Sequence, residues 1–362
     1  MKSVRTAHAG TVAGGRAPGR LLAATPVCTF RKRIPRTKRF IGRPPPRHRA
    51  RAPRTGPRPL AAAVAGHPLF IEPVPPGARA TGSVELARFE ALVALIRSVP
   101  RIDAIVIPEL VDENHEGRPR YRSGDLLRFA SELQHRTGRE SILNKVVAHL
   151  GSSAELETWA RETVGRGVRH AVLVGGASRY IPYSGPPVVE ADRLCRPIFR
   201  AAGGSIGNIA IPQRNGEAHR MLSKTRAGAA FFTTQILFDA DQIVTCLRDY
   251  DLLCRQAAIP PSAVVVSFAL IEDERDLEFV EWLGADLSRA AEEALLTGPE
   301  AETAARSQAR ALSVWDEILR VLHEEEIGVP VGVNVEQISL RHLEPAGDLL
   351  RAFAGRPPFR PS

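Results

Sequence analysis

Short apolar runs alternate with longer amphipathic stretches along most of the chain, from residue 68 onward. The apolar runs are rich in Val, Ile and Phe, which is typical of strands, and the stretches between them have the apolar spacing of helices. Helices are predicted, for example, over residues 84–99, 154–167 and 239–256. Eight strands are predicted, at residues 68–72, 103–107, 142–148, 170–174, 205–211, 231–236, 263–270 and 329–336.

Eight strand–helix repeats predict a (β/α)8 TIM barrel, an α/β fold whose parallel sheet closes on itself. The alternative is a doubly wound open sheet, but no glycine-rich phosphate loop of that fold follows the first strand. GGSIGN (203–208) precedes the fifth strand instead of following one. A charged segment near residues 286–326 widens the last interval, so we expect a helical insertion before the last strand.

The first 60 residues differ in charge from the rest of the chain. They contain 16 Lys or Arg and no acidic residue, whereas residues 61–362 carry 33 basic and 40 acidic side chains. Proline and like charges oppose a compact fold, so we predict a disordered Arg/Pro-rich tail over residues 1–62 and one barrel domain over 63–356. A nucleic-acid-binding or targeting arm, or translated upstream sequence, would also explain the tail. It lacks an aromatic pattern for stacking on bases, so we expect no nucleic-acid partner.

The rest of the composition fits a cytoplasmic protein. No run approaches the ~18 consecutive apolar residues of a membrane span, and the first 27 residues lack the apolar segment of a signal peptide. The cysteines form no CxxC pair and have no metal-binding histidine pattern nearby, so they fit buried or free thiols better than a disulfide framework or a zinc site. A homo-oligomer is compatible with the sequence. The four cysteines are Cys28, Cys195, Cys246 and Cys254.

Active sites of such barrels lie at the C-terminal ends of the strands, and proline or glycine marks several of those ends here. Glu72 is the foremost candidate. A carboxyl that ends a buried strand beside Phe70 and several prolines should have a raised pKa, as a general acid near neutral pH requires. The polar residues beside the strand ends are Glu72, Glu109, Arg179, Gln213, Asn215, Gln235, Asn334 and Glu336.

Three strand ends carry motifs that resemble one family, the methylenetetrahydrofolate reductases. FIEPVPP (70–76) resembles the family's FEFFPP, AIPQRNGEA (210–218) resembles AYPExHPEA, and KTRAGAAFFTTQILFD (224–239) resembles KxxAGAxxxxTQxFFD. The resemblance covers roughly residues 68–355. It implies an oxidoreductase of one-carbon and methionine metabolism, which reduces 5,10-methylenetetrahydrofolate to 5-methyltetrahydrofolate with NADH or NADPH.

The resemblance also implies roles for individual residues. Glu72 would be the acid that helps open the imidazolidine ring of the folate; its alternative is a structural carboxylate paired with an arginine. Gln235 would hydrogen-bond the pterin, or be a layer residue inside the barrel. Lys224 would lie near the folate or the cofactor, or be a solvated helix lysine. Glu336, at the end of the last strand, is a further candidate for the substrate site because of its position. The implied cofactor-binding residues are Gly175, Gly176, Pro212, Gln213 and His149.

FAD is the family's usual cofactor, but three flavin-facing positions differ in this chain. The family's LRGD is LVGG (173–176), so that Val174 and Gly176 replace its arginine and aspartate, and the tyrosine of AYPE is Ile211. The histidine of HLTC aligns with Lys145 or, with a gap, with His149. These departures resemble the divergent mycobacterial-type branch, in which hydride is thought to pass directly from nicotinamide to folate. They predict weak flavin binding or none.

Two other functions fit a barrel of this kind. One is a different flavin-type barrel oxidoreductase similar to proline dehydrogenase, which would require a flavin. The other is a non-catalytic folate-binding regulatory protein. The fold alone does not distinguish these functions, and the motifs favour the reductase.

Overall fold

The computed structural model describes residues 67–78, 82–114, 116–178 and 180–356. The predicted tail (1–62), Cys28 and the candidate Arg179 lie outside the described residues. Everything described below belongs to the unit that spans residues 57–362.

The eight predicted strands are all present and close into a parallel barrel. Their observed limits differ from the predicted ones by at most two residues, so the predicted (β/α)8 TIM barrel is confirmed. The strands are β1 (Leu69–Glu72), β2 (Ala104–Ile107), β3 (Val111–Glu113), β4 (Pro119–Tyr121), β5 (Glu140–Val146), β6 (His170–Val174), β7 (Ser205–Ala210), β8 (Phe231–Ile236), β9 (Ala263–Ala269) and β10 (Val331–Glu336). Barrel neighbours follow the order β1-β10-β9-β8-β7-β6-β5-β2, and β3 and β4 form a separate two-stranded sheet.

Helices follow the barrel strands and cover the outside of the sheet. Three helices, α7 (Glu274–Trp282), α8 (Arg289–Leu296) and α9 (Thr303–Glu324), lie between β9 and β10, where the regular repeat has one, so the predicted insertion is present. Side-chain caps fix several helix starts: Ser152 caps α3 (Ser153–Gly165), Asp273 caps α7 and Ser288 caps α8. The helices are α1 (Ser83–Ser98), α2 (Leu126–Thr137), α3 (Ser153–Gly165), α4 (Val188–Ala201), α5 (Glu217–Ala227), α6 (Asp241–Gln256), α7 (Glu274–Trp282), α8 (Arg289–Leu296), α9 (Thr303–Glu324) and α10 (Leu343–Ala354).

The antiparallel hairpin β3–β4 is an element that the sequence pattern did not predict. Its strands have three residues each, and all of these are exposed or half-exposed. Such short polar strands show no periodic apolar signal. The hairpin directly follows β2, so it adds a wall at the C-terminal end of the barrel.

The barrel interior is filled by an apolar cluster that is separate from the larger core between sheet and helices. The Phe70 and Phe231 rings meet edge to face there, with their centroids 6.4 Å apart. Gly207 leaves room for this packing, since a Cβ at that position would lie 2.6 Å from the Phe231 ring. The interior cluster consists of Phe70, Ala104, Val106, Ile142, Val172, Phe231, Ala263 and Val265.

The structure also describes three of the four cysteines and the character of the helices. Cys195, Cys246 and Cys254 are free and buried, as expected. Among the described residues, no helix combines the length and the apolar character that crossing a bilayer requires.

Candidate active site

A layer of polar side chains lies above the apolar filling, at the C-terminal mouth of the barrel. Alternate residues of a strand face the same side of a sheet. Three polar residues lie two positions beyond the interior residues Phe70, Ile142 and Val265 and therefore face the lumen. Two residues of β10 face it as well, because one hydrogen-bonds Glu72 and the other pairs with Glu72 in the strand register. This layer consists of Glu72, Asn144, Ser267, Asn334 and Glu336.

Glu72 and Glu336 form a pair of carboxylates on neighbouring strands. The register of β1 and β10 places their Cα atoms opposite each other. Asn334 connects the pair to β9: its Nδ2 donates to Glu72 Oε2 at 2.9 Å and to Ser267 Oγ at 3.1 Å. No cation of the described residues neutralises either carboxylate. The pair is therefore held by neutral hydrogen-bonding groups alone.

Burial determines the protonation of this pair. It raises the pKa of Glu72 well above its ordinary value, the charge of Glu336 raises it further, and the hydrogen bond from Asn334 opposes the rise. Burial also raises the pKa of Glu336 to about 7, against a hydrogen bond from Ser267. The raised pKa expected for Glu72 is thus present. A raised pKa is the property that a general acid near neutral pH requires.

A second group of carboxylates lies at the β2 and β5 side of the mouth. Glu109 Oε1 is 2.7 Å from Lys145 Nζ, and both side chains are nearly buried, with exposed fractions of 9% and 12%. Glu109 Oε2 accepts a hydrogen bond of 2.7 Å from the Val146 amide. Glu109 and Lys145 therefore neutralise each other's charge, and their contact connects the end of β2 to the end of β5.

The hairpin contributes Glu113, which connects His149 and Tyr183. Glu113 Oε1 lies 2.9 Å from His149 Nε2, and Glu113 Oε2 accepts a 2.6 Å hydrogen bond from the Tyr183 hydroxyl. The Tyr183 ring lies against Gly176, where a Cβ would be 2.1 Å from the ring. Two implied cofactor residues, His149 and Gly176, thus belong to one cluster. The tyrosine that joins them was not among the predicted site residues.

Gln235 and Gln213 both donate to the segment that follows α7. Gln235 Nε2 lies 2.8 Å from the Leu283 carbonyl oxygen, and Gln213 Nε2 lies 3.3 Å from that of Gly284. The register between β8 and β9 shifts between Thr233 and Ile236. Because such a bulge re-aims side chains, Gln235 departs from the alternation that would make it an interior layer residue. Its predicted contact with the pterin stays a prediction.

The Lys224 side chain extends from α5 to the outside of β7. Its Nζ donates to the Ile209 carbonyl at 2.8 Å and is 3.8 Å from Glu217 Oε1. Burial lowers the pKa of Lys224. Close by, Asn208 Nδ2 donates to Asp192 at 2.9 Å, and burial raises the pKa of Asp192 to about 7. Lys224 is therefore neither a solvated lysine nor part of the polar lumen layer, and its implied role near substrate or cofactor stays a prediction.

The remaining implied cofactor residues lie beyond β6 and β7. Gly175 packs against α4, where a Cβ would lie 3.3 Å from Val188. Pro212, Gln213 and Asn215 line a cavity of about 470 Å³ beside the first turns of α5 and α6. The structure thus divides the implied cofactor residues into two groups, one around Tyr183 and one around this cavity.

Asn144 and Ser267 are lumen residues that the motif comparison missed. Asn144 is 8% exposed, and its Oδ1 has no hydrogen-bond partner among the described residues. Ser267 is fully buried in the otherwise apolar run of β9. A single polar residue within an apolar strand is the signal that would have identified Ser267.

Glu272, Asp276 and His342 place possible metal ligands within 4.8 Å of one another. These atoms already have protein partners, however. His342 Nε2 lies 2.8 Å from Asp276 Oδ2, and Arg341 donates to Asp276 Oδ1 at 2.6 Å. An arginine directly on the carboxylate disfavours a cation there, so we interpret the cluster as a connection between the loops after β9 and β10.

Known proteins resemble this chain in sequence and in fold. Residues 70–351 match the model of a family described as mycobacterial methylenetetrahydrofolate reductase. A solved structure of an uncharacterized protein from Clostridium thermocellum, which binds two copies of 5-methyl-5,6,7,8-tetrahydrofolic acid, is similar at a TM-score of 0.63 and 17% identity. The match covers 82% of this chain and 99% of that one.

A 2,3-dimethylmalate lyase of the PEP mutase/isocitrate lyase superfamily is similar at a TM-score of 0.40 and 13% identity, over 80% of this chain and 83% of that one. A comparison with curated proteins gives no significant match. At these identities the structural likeness concerns the fold alone, and the dimethylmalate lyase is too distant to support any argument.

Proposed function

The chain belongs to the mycobacterial methylenetetrahydrofolate reductase family, and from this we propose that it reduces 5,10-methylenetetrahydrofolate to 5-methyltetrahydrofolate with NADH or NADPH. The observation that carries the proposal is the Glu72–Glu336 pair, two carboxylates at the barrel mouth whose pKa values burial raises. A carboxyl whose pKa is raised in this way is suited to donate a proton near neutral pH.

The reaction needs one proton and one hydride. Protonation of N10 breaks its bond to the bridging carbon and leaves an iminium between that carbon and N5. A hydride from the reduced nicotinamide, bound as second substrate, then converts the iminium to the N5 methyl group. Protonated Glu72 is the proposed donor to N10, and its own proton is restored from solvent after product release. Proton, hydride and charge balance in this scheme.

Two observations support a folate as the substrate. The mouth layer presents Glu336 and the unpartnered Oδ1 of Asn144, which can accept hydrogen bonds from the N–H groups of a pterin. The structural neighbour from Clostridium thermocellum binds 5-methyltetrahydrofolate, which is the product of the proposed reaction. We place the activity in cytoplasmic one-carbon metabolism as part of the same proposal.

The residues beside β6 do not fit the flavin contacts of the larger family. At Gly176, the position of the family's aspartate, a Cβ would collide with the Tyr183 ring. That ring is held in place by its hydrogen bond to Glu113. Val174 and Ile211 are apolar where the family has an arginine and a tyrosine. We therefore propose direct hydride transfer from nicotinamide to folate.

A deuterium-transfer experiment on the purified full chain tests this function. The protein is incubated with methylenetetrahydrofolate and NADPH or NADH deuterated at C4, and the product is analysed by mass spectrometry. We expect 5-methyltetrahydrofolate with one deuterium in its methyl group, sequential initial-rate kinetics and no flavin absorbance. Absence of nicotinamide oxidation would refute the reductase. Stoichiometric FAD with ping-pong kinetics would refute direct transfer and favour a flavin-dependent reductase.

A further inference from the structure

We propose that the turn at the end of α7 positions the side chain of Gln235, so that Gln235 presents its oxygen Oε1 to the folate. The positioning residues are Leu283 and Gly284, which act through their backbone carbonyls. This inference rests on the proposed function, because the folate is the substrate of that reaction. It is carried by the hydrogen bonds that join the turn to the ends of β7 and β8.

The backbone of this turn can offer the barrel only acceptors. The last carbonyls of a helix have no partner within the helix. The amides of the turn are already used, since Leu283 N–H donates to the Phe279 carbonyl and Gly284 N–H donates to that of Glu281. Gly284 has a φ of +95°, in the left-handed region in which many helices end. The carbonyl oxygens of Leu283 and Gly284 therefore need donors from outside the helix.

Two glutamines at the strand ends supply these donors. Gln235 Nε2 lies 2.8 Å from the Leu283 oxygen, and Gln213 Nε2 lies 3.3 Å from the Gly284 oxygen. A backbone carbonyl can only accept a hydrogen bond, so each glutamine has to direct its nitrogen toward the turn. The places of nitrogen and oxygen in both amides thus follow from their partners.

Apolar packing holds the turn beside the end of β8. Ala285, directly after the turn, is buried in one apolar cluster with Val280 of α7 and Ile236 of β8. Gln235 precedes Ile236, and the bulge between Thr233 and Ile236 sets the direction of its side chain. The turn therefore cannot move away from Gln235 without opening this cluster.

The fixed nitrogen determines what Gln235 offers to a ligand. A glutamine that turns freely can present either atom of its amide. Held by Leu283, Gln235 keeps Oε1 on the branch away from the turn, where it can accept an N–H of the pterin. The side chain is also ordered before the ligand binds, which reduces the entropy cost of binding. Gln213 Oε1, by contrast, is buried without a partner among the described residues, so we expect the folate to use Gln235.

Gly284→Ala tests the inference from outside the ligand site. A side chain is strained at a φ of +95°, yet an added Cβ would meet nothing closer than Gln235 Nε2 at 3.9 Å, so the variant should fold with a displaced turn. Gly167→Ala, in the loop before β6, is the matched control. Its φ is +87° and an added Cβ would have no atom within 4 Å, so both variants should lose similar stability.

Binding of 5-methyltetrahydrofolate to the full chain is measured by calorimetry. Gly284→Ala should raise Kd about tenfold, the effect of one lost hydrogen bond, and Gly167→Ala should leave it unchanged. In a Gln235→Ala background, Gly284→Ala should no longer change Kd, because the turn acts through Gln235. An equal rise in Kd with and without Gln235 would overturn the inference. So would a lower melting temperature of Gly284→Ala with an unchanged Kd, the result of a merely structural role.

NMR of the chain labelled with ¹⁵N at the glutamine side chains reads the orientation of the amide, and Gln235→Ala identifies its resonance. Without ligand, the Nε2 protons of Gln235 should be protected from exchange with water in the parent and in Gly167→Ala, and unprotected in Gly284→Ala. Folate should leave this protection in place. If folate removes it, Gln235 leaves Leu283 to bind the ligand and the inference is wrong.

The two measurements separate this inference from the proposed function. A parent chain that binds no folate would refute the proposed function and the ligand assigned to Oε1. The NMR comparison without ligand does not depend on that result, and equal protection in Gly284→Ala and Gly167→Ala would refute the hold of the turn on Gln235.

Discussion

The carboxylates on two sides of the barrel mouth differ in whether a positively charged group lies beside them. On the side of β2, β5 and the hairpin, Glu109 and Glu113 each contact a group that can carry a positive charge. Glu109 binds Lys145 at 2.7 Å, and Glu113 contacts His149 at 2.9 Å. These contacts join the ends of strands to the loops that follow them.

On the side of β1, β9 and β10, Glu72 and Glu336 lie at paired positions of neighbouring strands. The amide of Asn334 hydrogen-bonds Glu72 and the hydroxyl of Ser267 there. Burial raises the pKa of both Glu72 and Glu336. A nearby cation favours the charged form of a carboxylate, whereas burial without a cation favours its protonated form. On the proposed function, we expect the first side to be structural and the second to supply the acid.

The strongest test of this contrast is Glu72→Gln. The amide keeps the shape of the side chain but cannot supply a proton, so turnover should fall by at least about a hundredfold. Folate Kd should change far less. Turnover of the reductase reaction, folate binding and melting temperature are measured on one preparation.

Glu109→Gln is the matched control from the other side of the mouth. It should lower the melting temperature while folded protein retains most of its turnover. If Glu72→Gln stays within about threefold of the parent in turnover, Glu72 is not the acid and the two sides do not differ in chemistry.

The pH dependence of stability should also distinguish the two sides. The Glu336 pKa is raised to about 7, so its contribution to stability is fully present below the ordinary pKa near 4.5 and is lost as pH rises through 7. From these values the loss between pH 5 and 8 is about 3 kcal/mol.

Glu336→Gln cannot titrate, and its stability should fall less over the same pH range. The Glu72 pKa owes part of its rise to the charge of Glu336, so Glu72 should also contribute less to the loss in the variant. Asp192, whose pKa is raised to about 7, contributes equally in parent and variant. Urea unfolding at pH 5 and pH 8 gives the comparison. Equal losses in parent and variant would show that Glu336 is charged at both pH values.

Lys145→Met tests whether the Glu109–Lys145 ion pair stabilises the fold. It leaves the nearly buried Glu109 carboxylate with only the Val146 amide, which should cost about 2 kcal/mol. Arg289→Met is a suitable control because it breaks the ion pair with Glu293, which is largely exposed and should contribute little. Similar losses of stability in the two variants would mean that the Glu109–Lys145 pair contributes no more to the free energy of unfolding than an exposed ion pair.

The smallest effect is expected for Tyr183→Phe. It removes the 2.6 Å hydrogen bond to Glu113 while the ring still fills the space beside Gly176, so stability should fall by about 1 kcal/mol. Gly176→Ala should be worse, because its Cβ would meet the ring. If Gly176→Ala is neutral, Tyr183 is free to move aside and the argument against the family's flavin contacts weakens.

The sequence predicted the barrel well because each strand leaves a local signal. Val, Ile and Phe runs end at proline or glycine, and this identified β1 through Glu72 before any contact was known. The pairing of Glu72 with Glu336 was not predictable, because it joins residues 264 positions apart through barrel closure.

Other parts of the site lacked a local signal altogether. The bulge in β8 redirects Gln235 although its motif alternates regularly. The hairpin strands that supply Glu113 have three half-exposed or exposed residues each. Lys224 sits in a well-matched motif, but its contacts with Ile209 and Glu217 depend on how α5 packs on β7.

The edge-to-face packing of Phe70 and Phe231 fills the barrel interior below Glu72, so that a ligand reaches Glu72 through the C-terminal mouth. Glu72 stands two residues above Phe70 on the same face of β1, so a ligand that reaches its proton has come in from the top and must leave by the same way. Two substrates that share such an opening cannot exchange independently. The one that lies deeper has to enter first and its product leaves last, which should appear in product-inhibition patterns as a compulsory order of binding.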